Sequence, residues 1–122
     1  MADHTLYITG AGVSAESGIP TFRGRDGFWT FGSHNYTPQE MAMRQMYLSH
    51  PDEFLLWYFK RFASYRHIKP NTVHHWLTDK RLVTQNIDGL DGKAGNAAYV
   101  PIHGRLDKVT VLHEQGTRCS TD

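Results

Sequence analysis

Apolar and polar positions along the chain alternate in short blocks. Thr5-Leu6-Tyr7-Ile8-Thr9 is a β-branched and apolar run that stops at Gly10, and it predicts a buried strand. Val13 to Ser17 then opens a short helix, and residues 18–36, rich in glycine and without periodicity, read as a long ligand-facing loop. Thr37-Pro38-Gln39-Glu40 carries a helix start: Thr37 as cap, Pro38 at the first position, Glu40 completing a capping box, with the helix running to about Ser49. Pro51 repeats the signal for a helix through about Tyr65, whose Phe54, Leu55, Trp57, Tyr58, Phe59, Phe62 and Tyr65 exceed one narrow stripe. A third helix runs from the Asn71 cap to about Thr78. Arg81 to Gln85 is the second strand, Asn86 to Gly92 a turn with up to one helical turn, Tyr99 to Ile102 a third strand, and Val109 to Leu112 a further candidate.

Composition narrows the class. Hydrophobic residues make up 39% and charged residues 20%, the balance of an ordinary globular chain, and 122 residues suit a single domain over 1–122. A net charge of +1 gives no reason to expect nucleic acid or an anionic membrane as partner, and the longest apolar run is too short to span a bilayer. Cys119 is the only cysteine, so no disulfide forms within the chain, a four-cysteine zinc site cannot be built, and a reducing, cytoplasmic setting is expected.

The first strand runs into Gly10-Ala11-Gly12-Val13-Ser14-Ala15, the Gly-x-Gly-x-x-Ala form of the dinucleotide fingerprint. Gly10 permits the tight turn, Gly12 lets backbone approach pyrophosphate, and small Ala15 allows close helix–strand packing. The following helix start offers free N–H groups to the anion. An ordinary hydride-transfer enzyme would place an acidic strand end about 20 residues on. Here the next strand begins only at Arg81, which argues against a standard dehydrogenase.

Four stretches agree on one family. Residues 10–24, GAGVSAESGIPTFRG, with Gly27-Phe28-Trp29 after them, resemble the sirtuin signature; so do Pro70-Asn71-x-x-His74-x-x-Leu77, Thr84-Gln85-Asn86-Ile87-Asp88-Gly89-Leu90, and Ile102-His103-Gly104. They stand in the family's order over residues 5 to about 106. The resemblance implies an α/β fold with a partial Rossmann-like parallel sheet and inserted helices, NAD as cofactor, and an acyl-lysine protein or peptide as substrate. In that reaction the acyl oxygen attacks the nicotinamide ribose as nicotinamide leaves, and a ribose hydroxyl and water then yield free lysine and acyl-ADP-ribose.

By the same resemblance His103 is the general base, a role suited to a group titrating near neutral pH. Gln85, Asn86, Ile87 and Asp88 serve ribose and the nicotinamide carboxamide, with Asn86 counted beside His103 in catalysis. Gly10, Ala11, Gly12, Ser14 and Ala15 form the phosphate loop, Arg23 contacts phosphate, and Phe22 lies over the nicotinamide ribose. Tyr58 and Arg61, three apart on one helix, match the pair with which some sirtuins hold a succinyl or malonyl carboxylate; a core tyrosine beside a surface arginine is the plain alternative. His74 and His75 are adjacent, point in different directions and read as structural rather than as a metal pair.

The pattern also fails in places. The segment after His103-Gly104 holds one cysteine where sirtuins have four, so no metal ligands are assigned and zinc is doubtful. Asp91 stands where many sirtuins have His. The second half of the dinucleotide fold and a normal zinc lobe are missing, which leaves a truncated product or an assembly in which self-association covers the open sheet edge. NAD hydrolysis or ADP-ribosyl transfer, and an inactive NAD-binding fragment, are the competing functions.

Overall fold

A computed structural model describes residues 4–21, 32, 35–110 and 118–120. The chain divides into two compact units, Met1–Ser17 with Lys69–Asp122, and Gly18–Ile68, which are described in turn.

The first unit is built on three parallel strands in the order β1-β2-β3: β1 (Leu6–Thr9), β2 (Arg81–Thr84) and β3 (Val100–Pro101). Leu6 pairs with Arg81 and Ile8 with Val83, and Val83 in turn faces Val100. Parallel neighbours require long crossovers, and helices fill them. One-turn α1 (Gly12–Ala15) follows β1, α5 (Thr72–Trp76) precedes β2, and α6 (Leu90–Ala94) joins β2 to β3. Leu82 and Thr84 are buried beneath this layer together with Leu77 and Leu90. The Tyr7 ring meets Trp76 of α5 edge-on at 5.2 Å. Beyond β3 a two-stranded antiparallel ribbon pairs β4 (Lys108–Thr110) with β5 (Arg118–Ser120).

Asn71 caps α5 as the sequence predicts. Its side chain accepts from Val73 N–H at 2.9 Å, while its own N–H donates to His74 Nδ1 at 3.1 Å, so a histidine closes the capping box where a Glu or Gln is usual. The helix is shorter than expected and ends in a 3-10 turn, Leu77–Asp79. The turn with one helical turn expected over 86–92 is observed as non-helical chain over 86–89 followed by α6, which runs two residues further and is entered through Gly89 at φ 73°, a left-handed geometry that costs glycine nothing.

The second unit is helical: α2 (Pro38–Met41), α3 (Arg44–Ser49) and α4 (Pro51–Phe62), the last continued by a 3-10 turn, Ala63–His67. The capping box of Thr37 and Glu40 is present, with Thr37 N–H donating to Glu40 Oε2 at 2.8 Å. The single helix expected over 38–49 is broken by extended backbone at Met43. Burial explains the break. Met41 and Met46 both enter the core around Trp57, yet five residues of continuous helix, at about 100° each, would turn them about 140° apart. The ligand-facing loop expected over 18–36 falls largely outside the described residues.

Candidate functional site

The chemistry-bearing residues of the first unit gather at the C-terminal ends of its parallel strands, where α/β sheets hold their ligands. β1 leads into Gly10, β2 into Gln85 to Asp88, and β3 into Ile102-His103-Gly104. Backbone bonds carry the ladder past the strand ends, from Gln85 N–H to Thr9 O and from Ile102 N–H to Thr84 O, both 3.0 Å. The three turns are thereby held side by side.

A buried polar chain lies under them. The Ser14 hydroxyl donates to Asp88 Oδ2 at 2.6 Å and stands 3.2 Å from His74 Nε2. Since Asn71 N–H already donates to His74 Nδ1, Nδ1 is the acceptor nitrogen and Nε2 carries the ring proton toward Ser14. Burial lowers the histidine's proton affinity, with the Asp88 charge opposing that trend. Asn86, also buried, donates from Nδ2 to Gly10 O at 2.8 Å and more weakly to Ser14 Oγ at 3.4 Å. The order of donors is therefore imidazole to hydroxyl to carboxylate. That is opposite to an activated serine, whose proton must point at the histidine. Ser14 orients Asp88; it is not a nucleophile. The sequence reading of His74 as structural and turned away from His75 agrees with this placement, since His74 is buried and His75 exposed. Its bond to Ser14, 60 residues away, had no local signal.

Gln85 and His103 are exposed at the ends of β2 and β3, and Ile87 is half-buried, its carbonyl accepting from Leu106 N–H at 2.9 Å. Gly104 follows His103 at φ 85°, which turns the chain sharply after the imidazole. At Gly12 an added Cβ would meet nothing within 4 Å among the described residues, so on that side the loop backbone is open to an approaching group. Two details differ from the fingerprint argument. Helix α1, capped by Ala11, is a single turn, so few aligned peptide dipoles stand behind the loop, and Ala15 is exposed rather than wedged against the sheet.

Asp91, in the first turn of α6, is 3% exposed, and its Oδ1 has no hydrogen-bond partner among the described residues. Burial first, and then the neighbouring Asp88 charge, push its carboxyl up to about 6. In the second unit Tyr58 and Arg61 do share a face of α4. Tyr58 packs on Phe54 and Trp57 with ring centroids at 4.6 and 4.9 Å, and the Arg61 guanidinium lies 4.3 Å above the Trp57 ring. Phe22 and Arg23 lie outside the described residues.

Comparison with known proteins decides what this loop-and-turn constellation belongs to. A family model described as the Sir2 family matches residues 10–120. The chain belongs to the Sir2 family. Among Sir2 relatives, NAD-dependent protein deacylase 1 of Archaeoglobus fulgidus is 41% identical over 110 residues, which is 84% of this chain and 43% of that protein. The NAD-dependent protein deacylase of Aeropyrum pernix is 38% identical over 123 residues, 95% of this chain and 46% of that one. A solved Sir2 homologue bound to ADP ribose matches with a TM-score of 0.79 at 34% identity, over 95% of this chain and 47% of its own. A Sir2 homologue–NAD complex matches at 0.76 and 35%, over 95% and 46%. The chain thus spans a little under half the length of the relatives it matches. The partial α/β fold expected from the sequence agrees with these neighbours. Among the described residues no group of three or more His, Cys, Asp or Glu side chains is placed to hold a metal ion. With one cysteine in the whole chain, the residues present do not fit a four-cysteine zinc site.

Proposed function

We propose that this chain is the active-site half of an NAD-dependent protein-lysine deacylase. The observation that carries the reading is the set of strand-end groups: exposed His103 and Gln85 on adjacent strand ends, above Asn86 and Asp88 held by Ser14. The residues suit NAD, because the open backbone at Gly12 leaves room for a phosphate and the amides of Gln85 and Asn86 suit ribose and carboxamide. NAD, when bound, supplies the ribose carbon that the acyl oxygen of the substrate lysine attacks. His103 accepts a proton on its imidazole from a ribose hydroxyl, the task of a base working near neutral pH. Asp88 and Asn86, fixed through Ser14 and Gly10, orient polar groups with little rotamer freedom left to lose. Phe22 and Arg23 are assigned to the cofactor by the resemblance of residues 10–24 to the family signature. Tyr58 and Arg61 bind a carboxylate on the acyl group through hydroxyl and guanidinium. A reducing, cytoplasmic setting fits a chain with one cysteine.

Mixing the protein with NAD and matched acetyl-lysine and succinyl-lysine peptides, with mass spectrometry of the products, tests this. Acyl-ADP-ribose that falls at least about 100-fold in His103→Ala is the expected result, in line with the loss of a general base. A succinyl preference lost in Arg61→Ala would support the carboxylate assignment. ADP-ribose formed without peptide would replace the reading with NAD hydrolysis, and absence of both product and NAD binding would sink it for this chain.

A further inference from the structure

His103 stands on an exposed turn, and a base placed there works only if the turn is held still. Two backbone bonds tether the ends of the turn to one stretch of chain. Ile102 N–H donates to Thr84 O at 3.0 Å, and Leu106 N–H donates to Ile87 O at 2.9 Å. Between them Gly104, at φ 85°, donates from its N–H to Pro101 O at 3.0 Å. The tethers fix the backbone at either end of a bend that is itself neither helix nor strand.

A line of side chains closes over the same segment. Tyr99, just before β3, lays its ring against α6 where Gly92 has no side chain: a Cβ there would stand 3.2 Å from Tyr99 Cε1 and 3.3 Å from its hydroxyl oxygen. The Arg105 guanidinium lies over the same ring, 5.5 Å from its centroid. Its fork then takes both oxygens of Asp107, Nε donating to Oδ1 at 2.7 Å and Nη2 to Oδ2. Gly92, Tyr99, Arg105 and Asp107 thus follow one another in contact, and residues 99 and 105 meet on either side of His103. The Tyr99 hydroxyl is buried without a hydrogen-bond partner among the described residues, so the ring is what this position uses. A guanidinium within about 6 Å of an aromatic centroid is attracted to its face, and a two-bond fork fixes its plane. Lysine offers no such fork. An exposed Arg–Asp pair two residues apart would need neither the ring nor the glycine beneath it.

We propose that Arg105 is a positioning residue for His103: stacked on Tyr99 and forked onto Asp107, it clamps the segment 99–105 shut and holds the turn that carries the imidazole. Arg105 acts through the turn and touches no substrate. With the clamp closed, His103 enters the reaction with little conformational freedom left to lose. That His103 is the base rests on the deacylase reading; the clamp rests on the contacts around Tyr99 alone, and it is read without catalysis.

Nuclear relaxation of the isotope-labelled protein tests this. The His103 amide should have an order parameter near about 0.85 in the unsubstituted protein and below about 0.6 in Arg105→Ala, the values of rigid and flexible backbone. Hydrogen exchange of the Leu106 amide should quicken at least about 10-fold, while the Ile102 amide keeps its rate and reports an intact sheet. Asp107→Asn, at a half-exposed carboxylate where folding is not at stake, should give the same pattern. Arg105→Lys keeps the charge but not the fork and should not restore order, whereas Tyr99→Phe keeps the ring and should leave order unchanged. Asp79→Asn breaks a different ion pair, Lys80–Asp79, and should change nothing at His103. An order parameter that neither Arg105→Ala nor Asp107→Asn lowers would overturn the proposal and leave an ordinary surface ion pair. So would a His103 amide already below about 0.6 in the unsubstituted protein. With NAD and acetyl-lysine peptide, kcat should fall at least about 10-fold in Arg105→Ala while KM for NAD stays within about two-fold. Lost order with kcat unchanged would overturn the positioning role. No turnover by the unsubstituted protein would count against the deacylase reading, and the relaxation result would still decide the clamp.

Discussion

The interiors of the two units are held by different physics. The first unit buries Ser14, His74, Thr84, Asn86, Asp91 and Asn96 beside Leu77, Leu82 and Leu90. The second buries Met41, Met46 and Trp57, with Tyr36, Phe54 and Tyr58 packed around them. Hydrogen bonds specify direction: each is worth about 1 kcal/mol net, but stranding one buried partner costs about 1–3 kcal/mol. Methionine and tryptophan packing specifies volume, and flexible methionines fill whatever shape is left. A site that must aim amide and carboxylate groups needs the first kind of interior. An interior that only has to fill volume beneath its helices can use the second.

Substitutions test the contrast. In the second unit Trp57→Ala should cost about 3–5 kcal/mol in denaturant unfolding, while volume-conserving Met46→Leu should cost less than about 1.5 kcal/mol. Equal costs would mean that volume is not what this interior specifies. In the first unit Asp91 is a carboxyl whose folded-state value is raised, so its stabilising contribution is complete below the ordinary value of 3.8 and is lost as pH rises through about 6. Unfolding measured from pH 4 to 8 should therefore carry an Asp91 contribution that falls by on the order of 3 kcal/mol as pH rises, opposite in sign to that of His74, and Asp91→Asn should remove the falling part. Ser14→Ala should cost about 1–3 kcal/mol, because it strands both the His74 Nε2–H and Asp88 Oδ2. Thermal melts at neutral pH read this, and a neutral outcome would contradict the directional character of the buried chain. The smallest effect belongs to an exposed position: Thr37→Ala removes a capping box and should cost about 1 kcal/mol, visible as a small drop in Tm.

What the sequence made legible follows the same division. Local signals were readable. The caps at Thr37 and Asn71 were found as expected, and the strands over 5–9, 81–85 and 99–102 are observed at Leu6–Thr9, Arg81–Thr84 and Val100–Pro101. Gly10, Ser14, Asn86 and Asp88, separated by up to 78 residues, do come together, because a parallel sheet aligns its strand ends. Two kinds of feature were hidden. The break at Met43 serves tertiary burial of Met41 and Met46, and nothing local marks it, since methionine is a good helix former. The place of His74 beneath Ser14 depends on how α5 packs, which no spacing in a single sequence encodes. The strand expected over 109–112 is observed as Lys108–Thr110, and its partner Arg118–Ser120 follows a segment with no alternating pattern.

The histidine in the α5 capping box ties the start of a helix to a single proton. A glutamate in that place accepts across most of the pH range, but an imidazole nitrogen accepts only while the ring is neutral. Protonating Nδ1 of His74 would set two N–H groups, its own and that of Asn71, against each other. Asn71 also holds Val13 O at 2.7 Å and Ser17 Oγ at 2.9 Å, so the same event would loosen the segment that follows the glycine loop. Because the folded-state proton affinity of this ring is lowered, the stability it lends is present above the unfolded histidine value and lost as pH falls through the folded one. Acid should therefore loosen the glycine-loop segment from inside the fold, through the helix behind it.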